Sequence, residues 1–151
     1  MQSARFMLLL SLIACAPDWA DPVLSVESIQ IADMNLLGAT LDVELSAYNP
    51  NSDPLPFEEV EYEIRIGNSH PMRGRAVFDV PLAAMDNTPL STTIHIPATA
   101  AISVVQELGE GNASYQITGT MTLVYHGRRR VAFEREGQLS DLISGRSGQP
   151  D

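Results

Sequence analysis

The chain contains no lysine and only one cysteine. Nine arginines face nineteen carboxylates, and the formal charge is −10. A surface so poor in cations repels phosphate backbones, which excludes nucleic acid as an expected partner. One cysteine cannot close a disulfide within the chain, so no disulfide framework holds the fold. It also excludes a Cys/His zinc cage. His70, His95 and His126 lie far apart, with no neighbour at metal-ligand spacing. No Gly-x-Ser-x-Gly nucleophile turn occurs, and no phosphate-binding glycine loop. No catalytic site, metal site or cofactor is therefore expected, and the chain is not expected to be an enzyme.

What is present begins with an address. Arg5 precedes a short apolar run from Phe6 to Ala14. The run is too short to span a bilayer but suits the apolar region of a signal peptide. It ends at Leu12-Ile13-Ala14-Cys15, which resembles a bacterial lipobox. In that reading residues 1–14 are removed and Cys15 becomes an acylated first residue, the lipid anchor. Each buried methylene adds about 0.8 kcal/mol, so several acyl chains hold firmly where one holds weakly. The alternative is an ordinary cleaved signal, with a cut at Ala20 and an incidental cysteine. The position of the only thiol favours lipidation. Ala16, not aspartate, follows Cys15, so the expected location is the outer membrane, facing the periplasm. Cleavage removes Arg5 and no carboxylate, which would take the charge to −11. Residues 15–22 are expected as a short tether.

The mature chain has 44% apolar residues and room for one core. Between Leu37 and Tyr48, Leu37, Ala39, Leu41, Val43, Leu45 and Ala47 alternate with mostly polar residues, which predicts a half-buried strand. Val60, Tyr62, Ile64 and Ile66 alternate with Glu59, Glu61, Glu63 and Arg65. From Ala113 to Tyr125, Tyr115, Ile117, Met121, Leu123 and Tyr125 share a face opposite Gln116, Thr118, Thr120 and Thr122. Weaker strands are predicted at Leu24 to Ala32, Arg73 to Pro81, Leu90 to Pro97 and Arg129 to Leu139. A slip in apolar phase between Val26 and Ile29 predicts a bulge. Ala98 to Gly109 has helical spacing at Ile102, Val105 and Leu108, with Gly109 as C-cap. The fold expected is all-β: a two-sheet antiparallel sandwich of about seven strands, immunoglobulin- or fibronectin III-like. One short helix precedes the last two strands. The domain is expected to span 23–139, and 140–151 to be a flexible tail.

Asn49-Pro50-Asn51 after a strand, Leu55-Pro56-Phe57, and Tyr62 within Val60 to Ile64 form an ordered set. It continues through Val80-Pro81-Leu82, Thr92 to Pro97, Tyr115 to Gly119, and Phe133 to Leu139 with Gly137. The set resembles the late embryogenesis abundant group 2 family, or WHy domain, and the likeness covers Val23 to Leu139. Gly67-Asn68 departs from the family's Asn-Gly style of turn, and the loop Asn68 to Arg73 is irregular. The resemblance implies a protective role in desiccation, cold or osmotic stress. It also implies an alternative, a module binding lipid or an envelope protein. A monomer is expected, with client proteins or lipid as partners.

Three further features have plain structural readings. Proline after Asn49 enforces an extended residue there, so Asn49-Pro50-Asn51 reads first as a turn and only second as a ligand site. Glu58, Glu59, Glu61 and Glu63 read as a solvated strand face that discourages edge pairing rather than as a cation site. Arg128-Arg129-Arg130 reads as an offset to glutamates on a neighbouring strand rather than as a headgroup site.

Overall fold

The computed structural model describes residues 19–110 and 113–140. The described residues form seven strands and one helix: β1 (Val23–Asn35), β2 (Gly38–Tyr48), β3 (Phe57–Ile66), β4 (Met72–Val77), β5 (Asn87–Pro97), α1 (Ala98–Glu110), β6 (Ser114–Val124) and β7 (Arg128–Gln138). Two antiparallel sheets result, in the orders β1-β2-β5 and β4-β3-β6-β7. This is the expected all-β sandwich with a helix before the last two strands.

Alternation builds the core. Leu41, Val43 and Leu45 from one sheet and Val60, Ile64, Ile66, Ile117 and Leu123 from the other have almost no exposed surface. Each strand thus buries one face and wets the other, the arrangement a two-layer β fold requires. The expected slip in β1 is a register shift between Val26 and Ser28, and a second lies between Ile31 and Asp33. The doubtful register after Gly67 is regular, from Ile64 opposite Met72 to Glu59 opposite Val77.

Several boundaries differ from the sequence reading. Leu37 is 87% exposed and lies in the β1–β2 turn. The strand begins at Gly38 because φ there is 152° and a Cβ would meet the Ile96 carbonyl oxygen at 2.0 Å. Only glycine fits. β1 runs on to Asn35, β5 starts at Asn87, and β4 stops at Val77. Beyond β4, Leu82 pairs instead with Leu55 in an isolated bridge.

The helix is rotated from its expected face. Ala101 and Val104 are buried, Leu108 is half-buried, and Ile102 is 68% exposed. Gly109 is not a C-cap: it lies inside α1, which continues to Glu110, and it has no positive φ.

Glycine and aromatic residues alternate across the four-stranded sheet. Gly74, Tyr62, Gly119 and Phe133 form one cross-strand row. A Cβ on Gly74 would fall 2.2 Å from the Tyr62 ring, and one on Gly119 2.5 Å from Phe133. The rings therefore lie down on bare backbone, which keeps the inner face thin enough to pack. The Tyr62 hydroxyl reaches Thr92 on β5, so one buried hydrogen bond links the two sheets.

Candidate functional site

No concentrated reactive centre emerges, so the surfaces have to be built residue by residue. Cys15, the expected anchor, lies outside the described residues, as do the expected signal segment and, except for Ser140, the expected tail. His70, His95 and His126 are exposed on separate elements. His95 Nδ1 lies 3.2 Å from the Thr40 hydroxyl, and His126 stacks edge-on against Tyr125 at 4.4 Å. Among the described residues no three His, Cys, Asp or Glu side chains cluster as a metal site would require.

The glutamates of β3 do come together, with arginines between them. Arg73 and Arg75 reach them from β4, and Arg128 and Arg130 reach across β6 from β7. Arg73 Nε is 3.3 Å from Glu63, Arg75 Nε donates to Glu59 at 2.9 Å, and Arg130 Nη2 donates to Glu61 at 2.9 Å. Arg128 donates to Glu58, which sits at the bulge between Phe57 and Glu59. That hydrogen bond holds the Glu58 carboxyl below its ordinary value and raises Arg128. Glu59 raises Arg75 in the same way. Because β3 is an interior strand, its glutamates do not guard an edge. They form a charge-balanced, hydrated face. Thr122, expected on this wet face, is only 3% exposed, flanked in register by Glu59 and Arg130.

The other sheet is electrically different. β1, β2 and β5 contain no arginine, and their outer face carries Glu27, Asp33, Asp42 and Glu44 among serines and threonines. Ser91 donates to Glu44 at 2.6 Å and Thr93 to Asp42 at 3.2 Å.

Asn49-Pro50-Asn51 is a structural knot. Asn49 is fully buried. Its Nδ2 donates to the Asp53 carbonyl at 2.9 Å, and its Oδ1 accepts from the Asn51 backbone and side chain at 3.0 and 2.8 Å. Asn51 then bonds both ways to Ala20: Ala20 N donates to Oδ1, and Nδ2 donates to the Ala20 carbonyl, each at 2.8 Å.

That last contact belongs to a clamp absent from the sequence reading. Trp19 lies 6.1 Å from Tyr125, with the Arg129 guanidinium 4.3 Å over its ring. Arg129 also donates to Asp21 at 2.9 Å. Pro22 is buried. The described part of the expected tether, Trp19 to Pro22, is thus fastened to the sandwich. Arg129 is the one member of its triplet that does not reach β3.

The clefts are shallow. One of about 520 Å³ lies on the outer face beside Arg65, Gln116 and Glu136, and one of about 370 Å³ lies between Phe57, Val77, Phe78 and Val124. Phe57 and Phe78 stack at 5.0 Å along the second.

This architecture has relatives. A solution structure from Arabidopsis thaliana superposes with a TM-score of 0.64 at 17% identity, covering 87% of this chain and 91% of that one. A second, described as a late embryogenesis abundant protein, superposes at 0.51 and 16% identity, over 78% of this chain and 70% of that one. At these identities the likeness concerns the fold. A desiccation-related protein of Craterostigma plantagineum is 26% identical over 88 residues, and the chain spans 58% of that relative's length, using 58% of its own. The family model described as late embryogenesis abundant protein matches residues 44–137, most of the sandwich. The chain is therefore a member of the type 2 late embryogenesis abundant family.

Proposed function

We propose that this chain is a non-catalytic protective protein of a bacterial envelope, held at the outer membrane by acyl chains on Cys15 and acting against water loss. The observation that carries the reading is the interleaved Glu/Arg face on β3, β4 and β7, opposite an acidic hydroxyl-rich face. Both faces hold water strongly and offer little apolar area to a neighbour. A layer of such surfaces separates aggregation-prone proteins as water is withdrawn, because like-charged, hydrated bodies resist close approach. The desiccation-related relative supports the same reading. The partners would be client proteins contacted transiently by a monomer.

A desiccation-sensitive enzyme dried with the purified domain and then rehydrated should retain more activity than with an equal mass of an unrelated acidic protein. Equal loss in both would count against protection. Mass spectrometry of the membrane-fraction protein tests the anchor, the expected result being an acylated Cys15. The lipid-binding alternative draws little from the interior, where the space between the sheets is filled by Leu24, Leu41, Leu45, Ile64, Ile117 and Leu123.

A further inference from the structure

The exposed apolar side chains are segregated. Among the described residues the large ones lie at the two ends of the sandwich. Val23, Val77, Val80, Met85 and Val124 lie at the end where β1, β3 and β5 begin and β2, β4 and β6 finish. Ile31, Met34, Leu36, Leu37 and Ile102 lie at the other end, with the β1–β2 turn and α1. The first end also holds the clamp. There Trp19 is fixed by Tyr125 and Arg129, and Ala20 by Asn51.

We propose that this clamped end is a lipid-facing surface. The domain then stands end-on, with the β1–β2 turn pointing away from the bilayer. The inference rests on the reading of Cys15 as the anchor and adds an orientation to it. Three residues separate Cys15 from Trp19. A fully extended chain covers at most about 14 Å over that interval. The clamp removes the slack that residues 19–22 would otherwise supply. An acylated Cys15 therefore brings Met85, Val80 and the cleft beside Val124 to the headgroup layer. It leaves Leu36 the length of β1 away, about 40 Å at 13 residues. The chemistry at the clamped end suits that layer. Trp19 and Tyr125 are ring systems with a polar edge, the type favoured where one side is apolar and the other wet. Asp53, Asp79 and Asp86 lie in the loops of the same end and oppose an anionic surface, so the matching surface is zwitterionic.

The test uses the full acylated protein in phosphatidylcholine vesicles with brominated acyl chains, which quench tryptophan at contact range. Trp19 is the sole tryptophan. Trp19→Phe therefore gives a silent background for Met85→Trp at the clamped end and Leu36→Trp at the far end. The expected result is that Met85→Trp loses most of its emission while Leu36→Trp keeps it. Adding Val80→Asp to the Met85→Trp chain should restore part of the emission. Equal emission from both positions, or quenching at Leu36→Trp alone, would overturn the orientation while leaving the anchor intact. Mass spectrometry of the same sample separates the two failures, since an unmodified Cys15 would remove the anchor and the orientation with it.

Discussion

Asn49 has no accessible surface, yet its side-chain amide is satisfied on both sides. Replacing it with alanine strands the Asp53 carbonyl and the Asn51 donors in a site with little water. Leaving buried partners unpaired costs about 1–3 kcal/mol, so Asn49→Ala should lower the denaturant midpoint by that amount at unchanged slope. Asn51→Ala should cost less, because Asn51 is half-exposed, but it should shift the emission of Trp19 by releasing Ala20. Tyr62 gives a second prediction at this scale. Burial pushes its hydroxyl above the ordinary tyrosine value, and the bond to Thr92 only partly offsets this. The folded state then holds the proton more tightly than the unfolded state. The associated stability is complete below the unfolded value, near pH 10, and is lost as pH rises from there through the folded value. Wild-type stability should fall above about pH 10, and Tyr62→Phe should flatten that fall in pH-dependent urea titrations.

Helix α1 is the element where sequence and structure part most clearly. Ile102, Val105 and Leu108 fit a helical stripe, but so do Ala101, Val104 and Leu108, and hydropathy prefers the larger residues. Geometry decides otherwise. Pro97 ends β5 opposite Gly38, and Ala98 N bonds the Leu37 carbonyl at 3.1 Å. These contacts fix the phase at which the helix leaves the sheet and turn Val104 inward. Val104→Ala should therefore cost about 1–3 kcal/mol, while Ile102→Ser should be nearly neutral. The reverse ranking in thermal or urea unfolding would show the helix docked on the other face. The long strands were legible because their period is two and one face is buried, as in Leu41, Val43 and Leu45. Leu37 was misplaced because alternation cannot see that Gly38 is the residue able to approach Ile96. The paired glutamates were legible as a shared face, but not as an interior one, because strand order leaves no local trace. The clamp was invisible for the same reason: Asp21 and Arg129 are 108 residues apart.

At the scale of the molecule, charge is divided between the two sheets. All arginines in strands lie on β3, β4 and β7, where they neutralise glutamates locally, so the net negative field comes largely from elsewhere. If repulsion is what keeps neighbours apart during drying, protection should track net charge rather than folding. The sequence isoelectric point is about 4.5, and near it the repulsion vanishes. The fold should persist there. Glu58, whose carboxyl is held low by Arg128, contributes stability that is present above its unfolded value and is lost only as pH falls through the lower folded one. Light scattering of the purified domain should therefore rise near pH 4.5 while its far-UV circular dichroism stays unchanged. Protection of a dried enzyme should fall over the same interval. Protection that persists at pH 4.5 in a folded protein would exclude charge repulsion as its cause and turn attention to the hydroxyl-rich face of β1, β2 and β5.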